Sequence, residues 1–409
     1  MSKKSLLIGL VGLFIGLAGC TGTIDPALEI LLVTAYGENA AGAEVAIIQD
    51  LTATGGTEDF QRIEESRRPL LAPPIDYDIV DRLNRRTELA VLVRILDTNN
   101  LATIMFFNLE GLSADDTSAF SENIDRRIVV QLGDDEGLTV DEDVSPAPDS
   151  FCPVAVQVGS DGRYIALLND QSECGSNDPD AIDIIDLDTR TIIAHIQDPL
   201  ITTAFFLDQV ESRGGDQDSL YYFEEVAGEP ELRRLDIPED GDDDEPEPTD
   251  LDITVESDSG DEIVDFGPIG DDFLVLREQS FIVIPNQGGA LSEPDEDDAV
   301  DTSNDSEDIV LDDFRAADEV IILSDTELTV HSSVLDEDEN DISLRNAVGV
   351  IDPLNEFAYL LSDGRIARFD LFTYDGEDID SDNYRSFVVD NLPQPVFAIW
   401  VQAQLEGSN

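Results

Sequence analysis

The chain has 409 residues, of which 92 are Asp or Glu and 22 are Lys or Arg, and its formal net charge is −70. Hydrophobic residues make up 41%, which is enough for a packed interior and argues against global disorder. A body this acidic repels other polyanions, which excludes nucleic acid as a partner. The length fits two or three ordinary domains or one large repeat fold.

The positive charges are unusually distributed. Lys3 and Lys4 are the only lysines, and without residues 1–19 the net charge becomes −72. Self-repulsion of this size strains a compact fold in dilute buffer, whereas ~1 M salt shortens the Debye length to about 3 Å. A lysine-free, acid-rich surface resembles that of proteins from salt-loving organisms, which implies a saline environment. The alternative is an acidic protein that is merely soluble.

The first twenty residues, MSKKSLLIGLVGLFIGLAGC, have the pattern of an export signal. A positive region is followed by an uncharged apolar run, Leu6–Leu17, that is too short for a comfortable transmembrane span. The run ends in L-A-G-C at residues 17–20, which resembles the lipobox of secreted prokaryotic lipoproteins. The alternative is an uncleaved N-terminal anchor helix.

The lipobox resemblance implies that residues 1–19 are removed and that the Cys20 thiol carries diacylglycerol. Residues 20–28 would then be a short tether, and residues 29–405 a single domain held close to a bilayer. We therefore expect an exported protein, anchored by acyl chains on Cys20 and facing the periplasm or the cell exterior. Whether that membrane is an inner or an outer one is left open.

Two further cysteines, Cys152 and Cys174, lie 22 positions apart. In an exported protein such an isolated pair favours a disulfide over two free thiols. Metal binding by the pair is the weaker alternative, because no histidine lies nearby in the sequence.

In chain order, short apolar or alternating runs separated by polar turns predict strands throughout the mature chain. They group into seven units that begin near residues 29, 75, 154, 202, 251, 309 and 347. The stretch Thr52–Pro69 is polar and interrupts this pattern, and a helix is possible around Asp115–Asn123. A last run, Val396–Val401, is left over and could complete a ring with the N-terminal strands.

The unit at residues 151–197 is the clearest, with S-D-G-R-Y-I-A followed by I-D-I-I-D-L-D-T-R-T. This pattern resembles the blade repeats of YVTN and WD40-like β-propellers. We therefore predict an all-β fold, a propeller of about seven four-stranded antiparallel blades, with six to eight allowed. An array of two-sheet sandwiches is the alternative.

Acid-rich segments punctuate the units, at residues 239–250, 293–298 and 336–341. Asp240, Asp242 and Asp244 alternate in the manner of Ca²⁺ ligands, but the glycine and the closing glutamate of a twelve-residue calcium loop are missing. These three are weak metal candidates, and we predict no cofactor beyond weak collective binding of Ca²⁺ or other cations.

No catalytic motif stands out in the sequence. The two histidines, His195 and His331, each lie in an apolar run, where a partly buried strand residue is the favoured interpretation over a metal ligand. We favour a monomeric, non-catalytic binding or scaffolding module for a protein or an envelope polymer. One alternative is a metal-dependent hydrolase or lactonase-like propeller enzyme with its site at the central channel. Another is a passive cation sink or surface spacer.

Overall fold

The computed structural model describes residues 30–402 with gaps in the connections between strands. The gaps are 40–41, 51–59, 82–85, 96–100, 113–116, 134–136, 143, 149, 160–161, 177, 209–217, 238–247, 256–261, 270–271, 278–279, 286–290, 293, 295–299, 302–309, 312–318, 324–327, 333–340, 343–347, 352–356, 363–364, 371–383, 389–392 and 394. Within these described residues, no helix has the length and apolar character needed to cross a membrane.

Twenty-nine strands, numbered in chain order, form seven sheets among the described residues. Sheet 1 contains β29 (Pro395–Gln402), β1 (Ile30–Asn39), β2 (Gly42–Asp50) and β3 (Phe60–Pro69), in that order. Sheet 2 contains β4 (Pro74–Asp81), β5 (Arg86–Ile95), β6 (Leu101–Asn108) and β7 (Ile128–Val130). Sheet 3 contains β9 (Pro153–Val158), β10 (Tyr164–Asn169), β11 (Ala181–Asp186), β12 (Thr191–Gln197) and β8 (Thr139–Val140).

The other four sheets follow the simple order of the chain. Sheet 4 contains β13 (Pro199–Asp208), β14 (Asp218–Val226), β15 (Glu229–Asp236) and β16 (Pro248–Thr254). Sheet 5 contains β17 (Ile263–Ile269), β18 (Asp272–Arg277), β19 (Ser280–Ile284) and β20 (Val300–Asp301). Sheet 6 contains β21 (Val310–Leu311), β22 (Glu319–Leu323), β23 (Leu328–Ser332) and β24 (Asp341–Ile342). Sheet 7 contains β25 (Val348–Ile351), β26 (Phe357–Ser362), β27 (Arg365–Asp370) and β28 (Tyr384–Val388).

The first strands of neighbouring sheets lie side by side from sheet 1 to sheet 5 and between sheets 7 and 1, as the inner strands of propeller blades do. β29 contacts β4, β4 contacts β9, β9 contacts β13, β13 contacts β17, and β25 contacts β29. The backbone N–H groups of Val156 and Val158 in β9 donate to the carboxylates of Asp76 and Asp78 in β4. Because both pairs advance by two residues, the two inner strands run in the same direction. The predicted all-β propeller is confirmed, with seven blades rather than an array of sandwiches.

The two ends of the described chain meet in sheet 1. β29 pairs antiparallel with β1, with Leu32 opposite Trp400 and Thr34 opposite Ala398. The ring is thus closed by backbone hydrogen bonds between the first and the last strand, as the leftover run Val396–Val401 predicted. A sheet edge that would otherwise be unpaired is removed in this way.

The core lies between the sheets, because a blade packs against a neighbouring blade on each of its two faces. In sheet 3, Ile165 and Leu167 pack in one cluster with Leu92 and Ile104 of sheet 2. The alternate residues Ala166 and Leu168, with Ile182 and Ile184, pack with Leu220 and Tyr222 of sheet 4. All six residues of β10 are buried, which explains why its sequence is apolar without alternation from Tyr164 to Leu168.

The stretch Thr52–Pro69, predicted as an interruption, contains the outer strand β3. Its face toward solvent keeps charged side chains, while Arg67 forms an ion pair with the largely buried Glu44 of β2, 2.6 Å between Nη2 and Oε2. An outer strand packs on one side only, so its sequence lacks the apolar run of an inner strand.

The helix considered around Asp115–Asn123 is wrong. Glu122 bridges to Phe107 as an extension of sheet 2, and only a short 3-10 turn, Ile124–Arg126, follows. The grouping of strands also shifts at one boundary, because the run assigned to the start of the fifth unit is β16, the outer strand of sheet 4.

The strand directions define two ends of the ring. β1 begins at Ile30, opposite the end of β29 at Gln402 and the end of β2 at Asp50. We call this the lower end and the opposite one the upper end. Connections from third to fourth strand, and in sheets 2 to 7 those from first to second strand, lie at the lower end. Connections from second to third strand, and from one sheet to the next, lie at the upper end.

Candidate functional site

The disulfide predicted between Cys152 and Cys174 is confirmed. The Cα atoms are 6.0 Å apart, and the bond joins the residue before β9 to the connection between β10 and β11. Cys152 is fully buried. A crosslink over 22 residues stabilises the fold by about 3 kcal/mol in the chain-entropy account. Both sulfurs are used in this bond, so neither residue is a free thiol.

A chain of buried polar groups crosses sheet 3 from the disulfide to its fourth strand. The Cys152 N–H donates to Asn169 Oδ1 (3.0 Å), and Asn169 Nδ2 donates to Asp183 Oδ2 (2.9 Å). The other carboxylate oxygen, Asp183 Oδ1, lies 2.6 Å from His195 Nδ1. Asp183 is opposite Leu167 in the register, so the network is on the face that packs against sheet 2.

Burial controls the electrostatics of this network. The Asp183 side chain is 1% exposed, and this desolvation raises its pKa, while the hydrogen bonds and charge of His195 and the amide of Asn169 act in the opposite direction. The carboxylate orients the imidazole through Nδ1. With its side chain 6% exposed, His195 offers little surface to a solute, as expected for a strand residue held by hydrogen bonds.

At the axis, the inner strand β4 presents an alternating Asp76-Tyr77-Asp78. The carboxylates of Asp76 and Asp78 accept the β9 N–H groups, and Asp78 Oδ1 also accepts the N–H of Ile79 (2.7 Å). The Tyr77 ring stacks on Phe397 of β29 with centroids 4.0 Å apart. These side chains join three neighbouring blades at their inner strands.

Among the described residues, no group of three or more His, Cys, Asp or Glu is arranged to hold a metal ion. Asp240, Asp242 and Asp244 lie outside the described residues, as does Cys20. His331 lies in β23 opposite Val320, and only its strand position is described.

The acid-rich segments share one topological position. The connections β15–β16, β19–β20, β23–β24 and β27–β28 each join a third strand to a fourth, so all four attach at the lower end of the ring. They contain seven, five, four and five acidic residues, respectively, and no Lys or Arg. Four successive blades therefore have connections rich in acidic residues attached at the same end.

The sequence alone did not identify Asn169, Asp183, Asp76 or Asp78 as structural groups. A usable signal was present for Asp183, a charged residue inside the buried run AIDIID. A carboxylate in such a run requires a partner, and His195 is directly opposite it across β11 and β12.

No protein-family model matches the chain, and no characterised protein matches it by sequence. Among solved structures it is similar to Hsv2 of Kluyveromyces lactis, at 13% identity and a TM-score of 0.39 over 82% of this chain and 85% of that one. It is similar to the WD40 domain of SCAP from fission yeast, at 12% identity and a TM-score of 0.41 over 74% and 69%.

A third similar structure is PorZ, a bacterial surface component of the type-IX secretion system of Porphyromonas gingivalis. The identity is 13% and the TM-score 0.42, and the match covers 89% of this chain but only 39% of PorZ. At such identities and TM-scores, the propeller assignment rests on the strand pairing described above.

Proposed function

We propose that this protein is a lipid-anchored, extracytoplasmic β-propeller that binds a protein or envelope-polymer partner without catalysing a reaction. The observation that supports it is the position of β1. This strand begins at Ile30, ten residues after Cys20, and it completes sheet 1 together with the last strand. The lipid anchor would therefore be attached, through the tether, to the sheet in which the first and last strands close the ring.

The tether sets how the ring is held. Ten residues span at most roughly 35 Å, about the length of one long strand of the ring. Acyl chains on Cys20 would contribute about 0.8 kcal/mol for each buried CH₂, so two or three chains anchor firmly. The lower end would then be near the bilayer, and the connections of the upper end would face away from it.

Charge makes this arrangement depend on salt. The four acid-only connections belong to the lower end, where they would repel anionic lipid headgroups. At molar salt the Debye length falls to about 3 Å, so the repulsion no longer reaches across the tether. A saline envelope is the setting in which a body of this charge can stay at a membrane.

A non-catalytic role is favoured because the buried polar groups make hydrogen bonds to other groups of the protein. His195 and Asp183 bond each other, and the inner carboxylates Asp76 and Asp78 bond the backbone of the next blade. Connections on a rigid scaffold are the usual place for partner binding.

The anchor is tested by expressing the full chain in a prokaryotic host that processes lipoproteins. Mass spectrometry of the mature N-terminus should show an acylated Cys20, and a Cys20→Ser variant should move from the membrane to the soluble fraction. An unmodified Cys20 in the exported protein, or membrane retention of the variant through an uncleaved residues 1–19, would contradict the proposal.

A further inference from the structure

We propose that the lower end of sheets 2 and 3 contacts the phospholipid bilayer directly, with Ile124 entering the headgroup region and arginine side chains binding lipid phosphates. The surface consists of residues 124–127, 162–163 and 187–190, which we call the arginine surface. This proposal rests on the lipid anchor proposed above, because that anchor brings the lower end of the ring to a membrane.

Direct contacts join the arginine surface across two blades. Residues 124–127 belong to the β6–β7 connection of sheet 2, whereas the other residues belong to the β9–β10 and β11–β12 connections of sheet 3. Arg126 Nη2 donates to the backbone carbonyl of Gly162. Arg190 Nη2 donates to the backbone carbonyl of Asp125 at 3.0 Å. The three connections therefore form one continuous surface at the lower end.

Ile124 projects from this surface on a fixed backbone. It is 66% exposed, the highest value among the exposed large hydrophobic residues of the described chain. The residue before its 3-10 turn, Asn123, donates its N–H to the carbonyl of the fully buried Phe106 at 2.7 Å. The Arg127 N–H closes the turn on the Ile124 carbonyl at 3.2 Å. An apolar side chain held in this way loses little conformational freedom when it enters an interface.

Arg190 is the cation best placed to bind a phosphate. Arg126 and Arg127 each form an ion pair with a carboxylate of sheet 2. In the part of the chain that the structure describes, no carboxylate pairs with Arg190, whose guanidinium donates to a backbone carbonyl through Nη2. Its other N–H groups can bind two phosphate oxygens at once, because the guanidinium is planar and its donors form a fork.

The backbone at Arg190 supports a role for its side chain. Its φ angle is 55°, in the left-handed region that favours glycine. Strained backbone of this kind clusters at functional sites. The turn would form with less strain around a glycine, so the side chain and not the backbone accounts for an arginine here.

The charge of the lower end differs between the two parts of the ring. The lower-end connections of sheets 2 and 3 contain seven acids and six Arg; they are residues 82–85, 109–127, 159–163 and 187–190. Those of sheets 4 to 7 contain 29 acids and two Arg. Sheet 2 is the neighbour of sheet 1, which receives the tether, and β1 contacts β4. The ring would therefore rest on the nearly neutral sector beside its anchor, with sheets 4 to 7 tilted away from the lipid.

The contact is compatible with high salt. At ~1 M salt the Debye length is about 3 Å, which removes the long-range repulsion between sheets 4 to 7 and an anionic bilayer. A hydrogen bond from guanidinium to phosphate is made at about 2.7–2.9 Å, within that length. Salt also does not weaken the burial of an apolar side chain. The contact is short-ranged, so it depends on the tether to bring the two surfaces together.

The test places a fluorophore beside the arginine surface and a nitroxide quencher in the lipid headgroups. The exported full chain carrying Ser121→Cys is labelled and combined in 1 M NaCl with vesicles of equal parts phosphatidylglycerol and phosphatidylcholine. Ser121 is exposed and lies three residues before Ile124 in the same connection. The control label is at Leu71→Cys, 48% exposed in the β3–β4 connection at the upper end. We expect strong quenching at position 121 and little at position 71.

Substitutions in the chain labelled at position 121 test the two parts of the contact. Ile124→Ser and Arg190→Gly should each lower the ratio of docked to undocked rings, read from the quenching, by roughly tenfold. Arg190→Lys keeps the charge and should recover part of that loss. Arg213→Gln, which removes the same charge from the lower-end connection of sheet 4, is the matched control and should leave the ratio unchanged.

Equal quenching at positions 121 and 71, unchanged quenching in Ile124→Ser, or equal losses in Arg213→Gln and Arg190→Gly would overturn the arginine surface. The thermal midpoint of each variant without lipid confirms that it is folded. Arg190→Asn, which tolerates the left-handed turn, replaces Arg190→Gly if that variant is not folded.

The acylation of Cys20 is measured by mass spectrometry on the same preparations. Because Cys152 and Cys174 are bonded to each other, an acylated Cys20 leaves the introduced cysteine as the one free thiol, and a Cys20→Ser background is used if Cys20 is not acylated. Quenching at position 121 without acylation would fail the anchor alone. Acylation without that quenching would fail the arginine surface alone.

Discussion

The side chains of Tyr36 and Tyr222 lie in the interior of the ring. Tyr36 is 0% and Tyr222 2% exposed, and burial raises the pKa of each to about 12. The Tyr36 hydroxyl accepts a hydrogen bond from Thr34 Oγ1 at 2.6 Å. The unfolded chain, with tyrosine pKa values near 10, releases these protons earlier than the folded ring does.

Stability should therefore be unaffected by these groups below about pH 10 and should fall as the pH rises from about 10 to about 12. For Tyr36 the loss reaches about 3 kcal/mol, since one pKa unit corresponds to 1.36 kcal/mol. In Tyr36→Phe this part of the alkaline loss should disappear, at a cost of about 1 kcal/mol at pH 7 for the lost hydrogen bond. Denaturant titrations at pH 7, 10 and 11.5 measure both effects, and identical pH profiles for the two proteins would refute the assignment.

Asp183 is the residue on which the sheet 3 network depends. Asp183→Asn places an amide group against either His195 Nδ1 or Asn169 Nδ2, both of which now face a carboxylate oxygen. Leaving a buried donor without its acceptor typically costs about 1–3 kcal/mol. We expect a lower urea midpoint with an unchanged slope. Glu173→Gln, an exposed carboxylate in the same sheet's β10–β11 connection, is the matched control and should shift the midpoint little.

At the scale of elements, the sequence predicted the strands that pack on both faces. The strand β10, for example, has the mostly apolar sequence YIALLN, and that composition alone indicates burial. β29 was foreseen because Val396–Val401 had no partner within the seventh unit. β3 and β8 were not foreseen, since an outer strand such as FQRIEESRRP packs one face only and a two-residue strand has no period to detect.

The polar network was predictable only in part. The disulfide was predicted from the expectation of export and from the number of cysteines, which need no coordinates. The bonds from Asn169 to Asp183 and from Asp183 to His195 depend on the register between strands, and the β11–β12 pair contains an irregularity between Ile184 and Ile185. Likewise, the acceptance of β9 N–H groups by Asp76 and Asp78 depends on the angle between blades, which no local pattern encodes.

The hairpin between β14 and β15 contains a correctable strain. Its two turn residues, Ala227 and Gly228, have φ angles of 58° and 92°, a geometry that favours Asn followed by Gly. An alanine in the left-handed region costs about 1 kcal/mol. Ala227→Asn should therefore raise the free energy of unfolding by roughly 0.5–1 kcal/mol, as read from the thermal midpoint. A destabilised variant would show that the turn adopts another conformation, and Ala227→Val should lower the midpoint as the opposite control.

For the whole molecule, the dominant physical quantity is the net charge of −70. Nine of the 20 Arg lie in residues 30–130, and the four acid-only connections lie on sheets 4 to 7, so self-repulsion is concentrated in that part of the ring. Screening should reduce it steeply between ~0.05 and ~1 M salt.

We therefore expect the thermal midpoint to rise with NaCl and with KCl over this range, with most of the increase at the lower concentrations. An uncharged osmolyte at the same osmolality controls for effects other than screening. A thermal midpoint that does not change with salt would favour the alternative, an acidic protein that is merely soluble. It would also contradict the proposed saline envelope.

The closed ring itself is tested most directly by amide hydrogen exchange in β1, compared between the full chain and a chain that ends at residue 394. β1 is bonded to β29 on one side and to β2 on the other. Alternate amides of Leu31–Tyr36 should exchange slowly in the full chain and roughly 100-fold faster without β29, while a chain ending after Gln402 should behave like the full one. Protection of β1 that is unchanged after β29 is removed would contradict the closed ring.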